Sequence, residues 1–76
     1  MTQTTQELDA RGLNCPLPIL RAKKAIAGLA EGDTLRVLAT DPGSQKDMES
    51  FCRQTGNELM ESTRLDGDFV FIVRKG

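Results

Sequence analysis

Histidine is absent from this 76-residue chain, and with it go the Ser-His-Asp and Cys-His couples and any imidazole general base. Cysteine occurs only twice, at Cys15 and Cys52. A zinc ion normally takes four Cys, His or carboxylate ligands, so an intrachain Cys/His site is not expected, and neither is any other metal or cofactor. Tryptophan and tyrosine are missing and phenylalanine occurs three times, while 10 Lys+Arg stand against 11 Asp+Glu for a net charge of −1. That leaves neither a basic stripe nor a stacking platform for direct nucleic-acid binding. No apolar run approaches the ~20 residues of a membrane span, and the polar stretch 1–7 lacks the apolar core of a secretory signal. A cytoplasmic protein is expected. In that reducing compartment two cysteines read as one reactive and one packed thiol rather than as a Cys15–Cys52 bridge.

Length predicts a single domain over 1–76. A domain this small buries only about 60% of the surface its unfolded chain exposes, which disfavours a deep substrate pocket and places the chemistry at the surface. The pattern along the chain reads βαβαββ. Residues 6–10 form a short strand, Gly12 a turn, and a helix follows from Pro16 to Ala30. Leu35, Val37 and Ala39 alternate along a strand from Thr34 to Thr40. After Asp41-Pro42-Gly43, Ser44 and Asp47 fit a capping box that opens a helix over Gln45–Thr55, stopped by Gly56. Strands over Glu58–Leu65 and Phe69–Arg74 meet through Asp66-Gly67, a dipeptide favoured in tight hairpins. The predicted fold is an α+β two-layer sandwich, two helices packed on one face of a four-stranded mixed sheet.

The stretch Leu8 to Pro18 carries the chemistry, because there a turn delivers a cysteine to the start of a helix. Cys15 is predicted to occupy the N-cap, with Pro16 and Pro18 in the first turn, where a missing N–H costs little. The N–H groups of Leu17 and Ile19 would then join the positive helix end beside the sulfur, with Arg11 and Arg21 as nearby cations. These effects favour thiolate over thiol. On the first helix, Ile19, Ala22, Ala25, Ile26, Leu29 and Ala30 share the face expected to meet the sheet. Leu17, Arg21, Lys24 and Gly28 face water, with Leu20 at the edge. An exposed leucine flanked by basic side chains suggests docking of an acidic partner, with Arg11, Leu20, Arg21 and Lys24 as its candidate residues. Asp9 and Asp41 are expected to hold turns through side-chain bonds to backbone N–H groups, with shaping of the turn around Cys15 as the alternative. Cys52 falls in one stripe with Met48, Phe51 and Thr55 and is expected to be inert core, with a role as a second thiol as the alternative.

These motifs resemble the TusA/SirA-like sulfur carrier family, most closely its TusA sulfurtransferase branch. The resemblance rests on Leu8-Asp9, Gly12, Cys15-Pro16-Leu17-Pro18, Gly32-Asp33-Thr34-Leu35, Asp41-Pro42, Phe51-Cys52 and Val73-Arg74-Lys75-Gly76. It implies a βαβαββ sandwich similar to the C-terminal domain of a translation initiation factor. It also implies that Cys15 accepts sulfane sulfur as a persulfide from a cysteine desulfurase or a rhodanese-like donor and passes it to a DsrE-like acceptor. The relayed sulfur would serve tRNA 2-thiouridine synthesis or dissimilatory sulfur oxidation. Thiol–persulfide exchange needs no base, pocket or metal on the carrier, so "sulfurtransferase" here describes a stoichiometric carrier rather than a free-standing catalyst.

Two other readings compete. A regulatory or nucleic-acid-binding module would draw on the basic surface of the first helix, but fold likeness says little about function. A thiol–disulfide redox protein would need a resolving thiol near Cys15, and the sequence has no C-x-x-C.

Overall fold

Alternation of apolar residues on the second strand decides which face of the sheet is covered. The computed structural model describes residues 4–14 and 16–76. Its elements are β1 (Gln6–Ala10), α1 (Leu17–Ala27), β2 (Thr34–Ala39), α2 (Ser44–Thr55), β3 (Glu58–Leu65) and β4 (Asp68–Arg74). The sheet order is β1-β2-β4-β3. β1 and β2 run parallel, which requires a crossover, and α1 supplies it. The other two pairings are antiparallel, so the sheet is mixed and the predicted architecture is observed.

In register, Leu8 lies beside Val37 and Val37 beside Phe71, and Leu35 lies beside Val73. These positions line the helix-covered face. Leu35, Val37, Ala39, Phe71 and Val73 are fully buried there, packed with Ala22 and Ile26 of α1 and Met48, Phe51 and Cys52 of α2. The hairpin between β3 and β4 has φ of 52° at Asp66 and 84° at Gly67, the pair of positive angles that a type I′ turn needs.

Three local expectations are corrected. α1 ends at Ala27, not Ala30. Its last turn tightens, with the Gly28 and Leu29 N–H groups donating to the Ala25 and Ile26 carbonyls. Beyond it, Asp33 Oδ2 accepts from the Ala30 N–H at 3.0 Å, and the Leu29 carbonyl accepts from Lys75 Nζ. These partners, one local and one from the far end of the chain, replace the helical continuation that Leu29 and Ala30 suggested, and Ala30 is exposed rather than packed on the sheet.

The capping box does not form. Gly43 is the N-cap of α2, no side chain caps it, and the buried Ser44 hydroxyl donates backward to the Asp41 carbonyl at 2.7 Å. At the start of α1 the N-cap is Pro16, so Leu17 and Pro18 are its first two residues. The expected capping role of Cys15 falls outside the described residues.

Candidate functional site

The segment leading to Cys15 leaves the C-terminal end of β1 and is fastened at each described residue. Ala10 to Leu13 form a turn closed by the Leu13 N–H to the Ala10 carbonyl at 3.3 Å. Gly12, at φ 81°, sits third in that turn, where a type II geometry calls for glycine. Its N–H donates to Thr40 Oγ1 at 2.9 Å, tying the turn to the end of the adjacent strand. Asn14 then accepts from the Leu17 N–H at 2.8 Å, and Pro16 from the Leu20 N–H at 3.1 Å, which closes the first turn of α1. Leu17, counted in the sequence among the free donors beside the sulfur, has therefore given its N–H to Asn14.

Arg11 is held from two sides. Its Nε and Nη2 donate to Asp9 Oδ1 and Oδ2 at 2.9 and 3.0 Å, and Nη1 lies 3.5 Å from Asp68 Oδ2 at the start of β4. The Arg11 N–H also donates to Asp9 Oδ1 at 3.1 Å, the turn-holding role expected of Asp9. The guanidinium beside Asp9 lowers that carboxyl to about 2, and the paired carboxylate raises Arg11 above its ordinary value. Arg11 is thus an internally compensated cation, and its guanidinium is a fastening for the loop.

Asp41 holds its turn with its backbone, not its carboxylate. Its carbonyl accepts from both the N–H and the hydroxyl of Ser44. Its Oδ2 is buried at the start of α2 and has no hydrogen-bond partner among the described residues.

The candidate docking residues separate into two places. Leu20, Arg21 and Lys24 come together with Leu17 around one shallow depression on the outer side of α1. Leu17 and Leu20 are 45% and 55% exposed. Arg11 lies apart, at the sheet end with Asp9 and Asp68. A second groove of about 330 Å³ runs between α1 and α2, from Pro16, Ile19 and Leu20 to Phe51 and Thr55. Pro18, an expected part of the helix start, is buried, whereas Pro16 and Leu17 are exposed.

Cys52 lies at the core, 3% exposed between α2 and the sheet, and burial pushes its thiol up to about 11. Such a thiol stays protonated and inert at neutral pH. Among the described residues no group of three or more His, Cys, Asp or Glu could hold a metal ion, and no helix is long and apolar enough to cross a membrane.

Thr40 and Asp68 are the site residues that the sequence did not single out. Thr40 carried a weak signal, as the last residue of the strand expected over Thr34–Thr40, which in the structure stops at Ala39. Asp68 carried none, since its partner Arg11 is 57 positions away.

Residues 6–75 match the family described as sulfurtransferase TusA. The chain is 59% identical over 75 residues to the sulfur carrier protein TusA of Allochromatium vinosum, covering 99% of both chains. It is 40% identical over 77 residues to the protein of the same name from Pseudomonas putida F1, covering 99% of this chain and 96% of that one. Among solved structures, the crystal structure of a SirA-like protein from Desulfitobacterium hafniense superposes with a TM-score of 0.85 at 31% identity, over 95% of this chain and 99% of the other.

Proposed function

Because the chain belongs to the TusA family of sulfur carrier proteins, we propose that it carries sulfane sulfur as a persulfide on Cys15. The observation that carries this reading is the fastened turn from Ala10 to Asn14, which leads into a proline-bracketed helix start at the motif Cys15-Pro16-Leu17-Pro18.

The chemistry balances without a further reactant. The Cys15 thiolate attacks the outer sulfur of a donor persulfide, forming a new S–S bond as the donor's S–S bond breaks and its cysteine leaves as thiolate. An acceptor thiolate then attacks the outer sulfur on Cys15 in the same way. Each step exchanges one S–S bond for another, with no net oxidation, and the proton of the sulfane sulfur passes to solvent or to the leaving thiolate. Nothing in that exchange calls for an enclosed pocket or a base on the carrier.

A cysteine desulfurase or rhodanese-like protein is the proposed donor and a DsrE-like protein the proposed acceptor, in tRNA 2-thiouridine synthesis or in dissimilatory sulfur oxidation. The exposed Leu17, Leu20, Arg21 and Lys24 form the surface for an acidic partner that brings its sulfur to the start of α1.

The test is intact-protein mass spectrometry after incubation with a cysteine desulfurase and cysteine, and separately with a rhodanese and its sulfur donor. Wild type and Cys52→Ala should gain the mass of one reducible sulfur atom, and Cys15→Ser should gain none. Absence of the gain from wild type with both donors would overturn the proposal.

A further inference from the structure

Residues 11–14 lie outside the strands and helices, so the path of the backbone there depends on the contacts it makes elsewhere. Two of those contacts come from far along the chain. Thr40, just beyond β2, accepts the Gly12 N–H through its side chain at 2.9 Å. Asp68, which opens β4, reaches Arg11 at 3.5 Å, and Asp9 grips the same guanidinium from the other side. Three adjacent strands thus end in side chains that hold two consecutive residues of one loop.

We propose that Thr40 and Asp68 are positioning residues for Cys15, acting through Gly12 and Arg11 to set the loop that presents the sulfur. The proposal deepens the persulfide-carrier reading and rests on it for its function. Arg11 follows as a bracket between strands rather than as a cation for the thiolate or for a partner. A rigid mount matters for a carrier because its sulfur must line up with a sulfur on another protein, and small misplacements of reacting groups slow transfer. Each contact is exposed, so losing one loosens the loop while leaving the buried core of Leu35, Val37 and Phe71 in place.

The full-length chain carrying Thr40→Val, Thr40→Ser or Asp68→Asn tests this with two readouts. The first is kcat/KM for loading from a cysteine desulfurase. The second is the pH profile of Cys15 alkylation by iodoacetamide, followed at the Cys15 peptide by mass spectrometry, which needs no sulfur partner. Thr40→Val and Asp68→Asn should each lower kcat/KM about two- to tenfold, the equivalent of one hydrogen bond, and shift the alkylation midpoint. Thr40→Ser should restore both values.

Loading and midpoint both equal to wild type in Thr40→Val and Asp68→Asn, or no rescue by Thr40→Ser, would overturn the positioning role. Wild type that takes no sulfur, with the midpoint still shifted in the variants, would instead overturn the carrier reading and leave the positioning role standing.

Discussion

Lys75 Nζ donates to the Leu29 carbonyl at 2.6 Å, across 46 positions of sequence. The contact supplies a cation and a donor to the segment following α1, where carbonyls lack helical partners. The backbone of the same lysine is tied to the neighbouring turn, its N–H to the Asp33 carbonyl and its carbonyl to the Gly32 N–H, both at 2.8 Å. The chain end therefore closes the α1–β2 connection. Lys75→Met keeps the stem and removes the charged donor, and it is expected to cost about 1 kcal/mol. For a domain of this size the melting temperature should then fall by about 4–8 °C, measurable by circular dichroism. An unchanged melting temperature would mean that the backbone pairing alone closes the connection.

Cys52 should behave as a core side chain. Its thiol, raised by burial from 9.0 to about 11, favours the protonated form when folded. The stabilisation this represents is fully present below about pH 9 and is lost as pH rises towards about 11, because the unfolded chain ionises first. Wild type should therefore lose stability over that alkaline window more steeply than Cys52→Ala in urea titrations at successive pH values. At neutral pH, iodoacetamide should leave Cys52 unmodified until the protein unfolds. Rapid alkylation of Cys52 in the native protein would contradict its buried, protonated state.

The sequence disclosed the sheet more fully than the site. Leu35, Val37 and Ala39 alternate because one face of β2 meets the helices, and Asp66-Gly67 announces its hairpin through backbone angles few other residues tolerate. Helix ends were less legible. Leu29 and Ala30 continue the apolar stripe of α1, but Lys75 and Asp33 capture their backbone groups; Asp33 is a local competitor three residues on, whereas Lys75 is 46 positions away and invisible to a local pattern. Ser44 likewise has the chemistry of a cap, yet its hydroxyl is nearer the Asp41 carbonyl behind it. Arg11 looked like a free cation beside the reactive cysteine. Asp9 could have been foreseen as its partner two residues away, whereas Asp68 reaches it only because β1, β2 and β4 lie side by side.

The Asp9–Arg11 pair makes a pH prediction of opposite sign to that for Cys52. With its carboxyl lowered from 3.8 to about 2, Asp9 favours folding above about pH 4, and that contribution is lost as pH falls towards about 2. Because the pair is exposed, the local titration is the better readout than global stability. Carbon NMR of the Asp9 side chain should give a midpoint near 2 in wild type and a higher one in Arg11→Gln, still below 3.8 because the backbone N–H of residue 11 goes on donating to Asp9 Oδ1. Equal midpoints in the two proteins would show that Arg11 does not hold Asp9 in solution.

The basic patch on α1 should act on encounter more than on the sulfur exchange itself. Arg21 and Lys24 share one depression with Leu17 and Leu20, and charges at the rim of an interface chiefly set association rate and its response to salt. Arg21→Glu with Lys24→Glu reverses both charges on an exposed helix face, away from the core formed by Ala22 and Ile26. Loading from an acidic-surfaced desulfurase should slow by roughly tenfold at low ionic strength, through KM rather than kcat. Raising salt should slow wild type and bring the two proteins together, since screening removes what the substitutions remove. Leu20→Ser should instead slow loading equally at every salt concentration, because it deletes apolar contact and no charge. A charge-reversed protein that loads as fast as wild type at low salt would place the partner on another surface, for which the groove between Pro16 and Phe51 is the next to test.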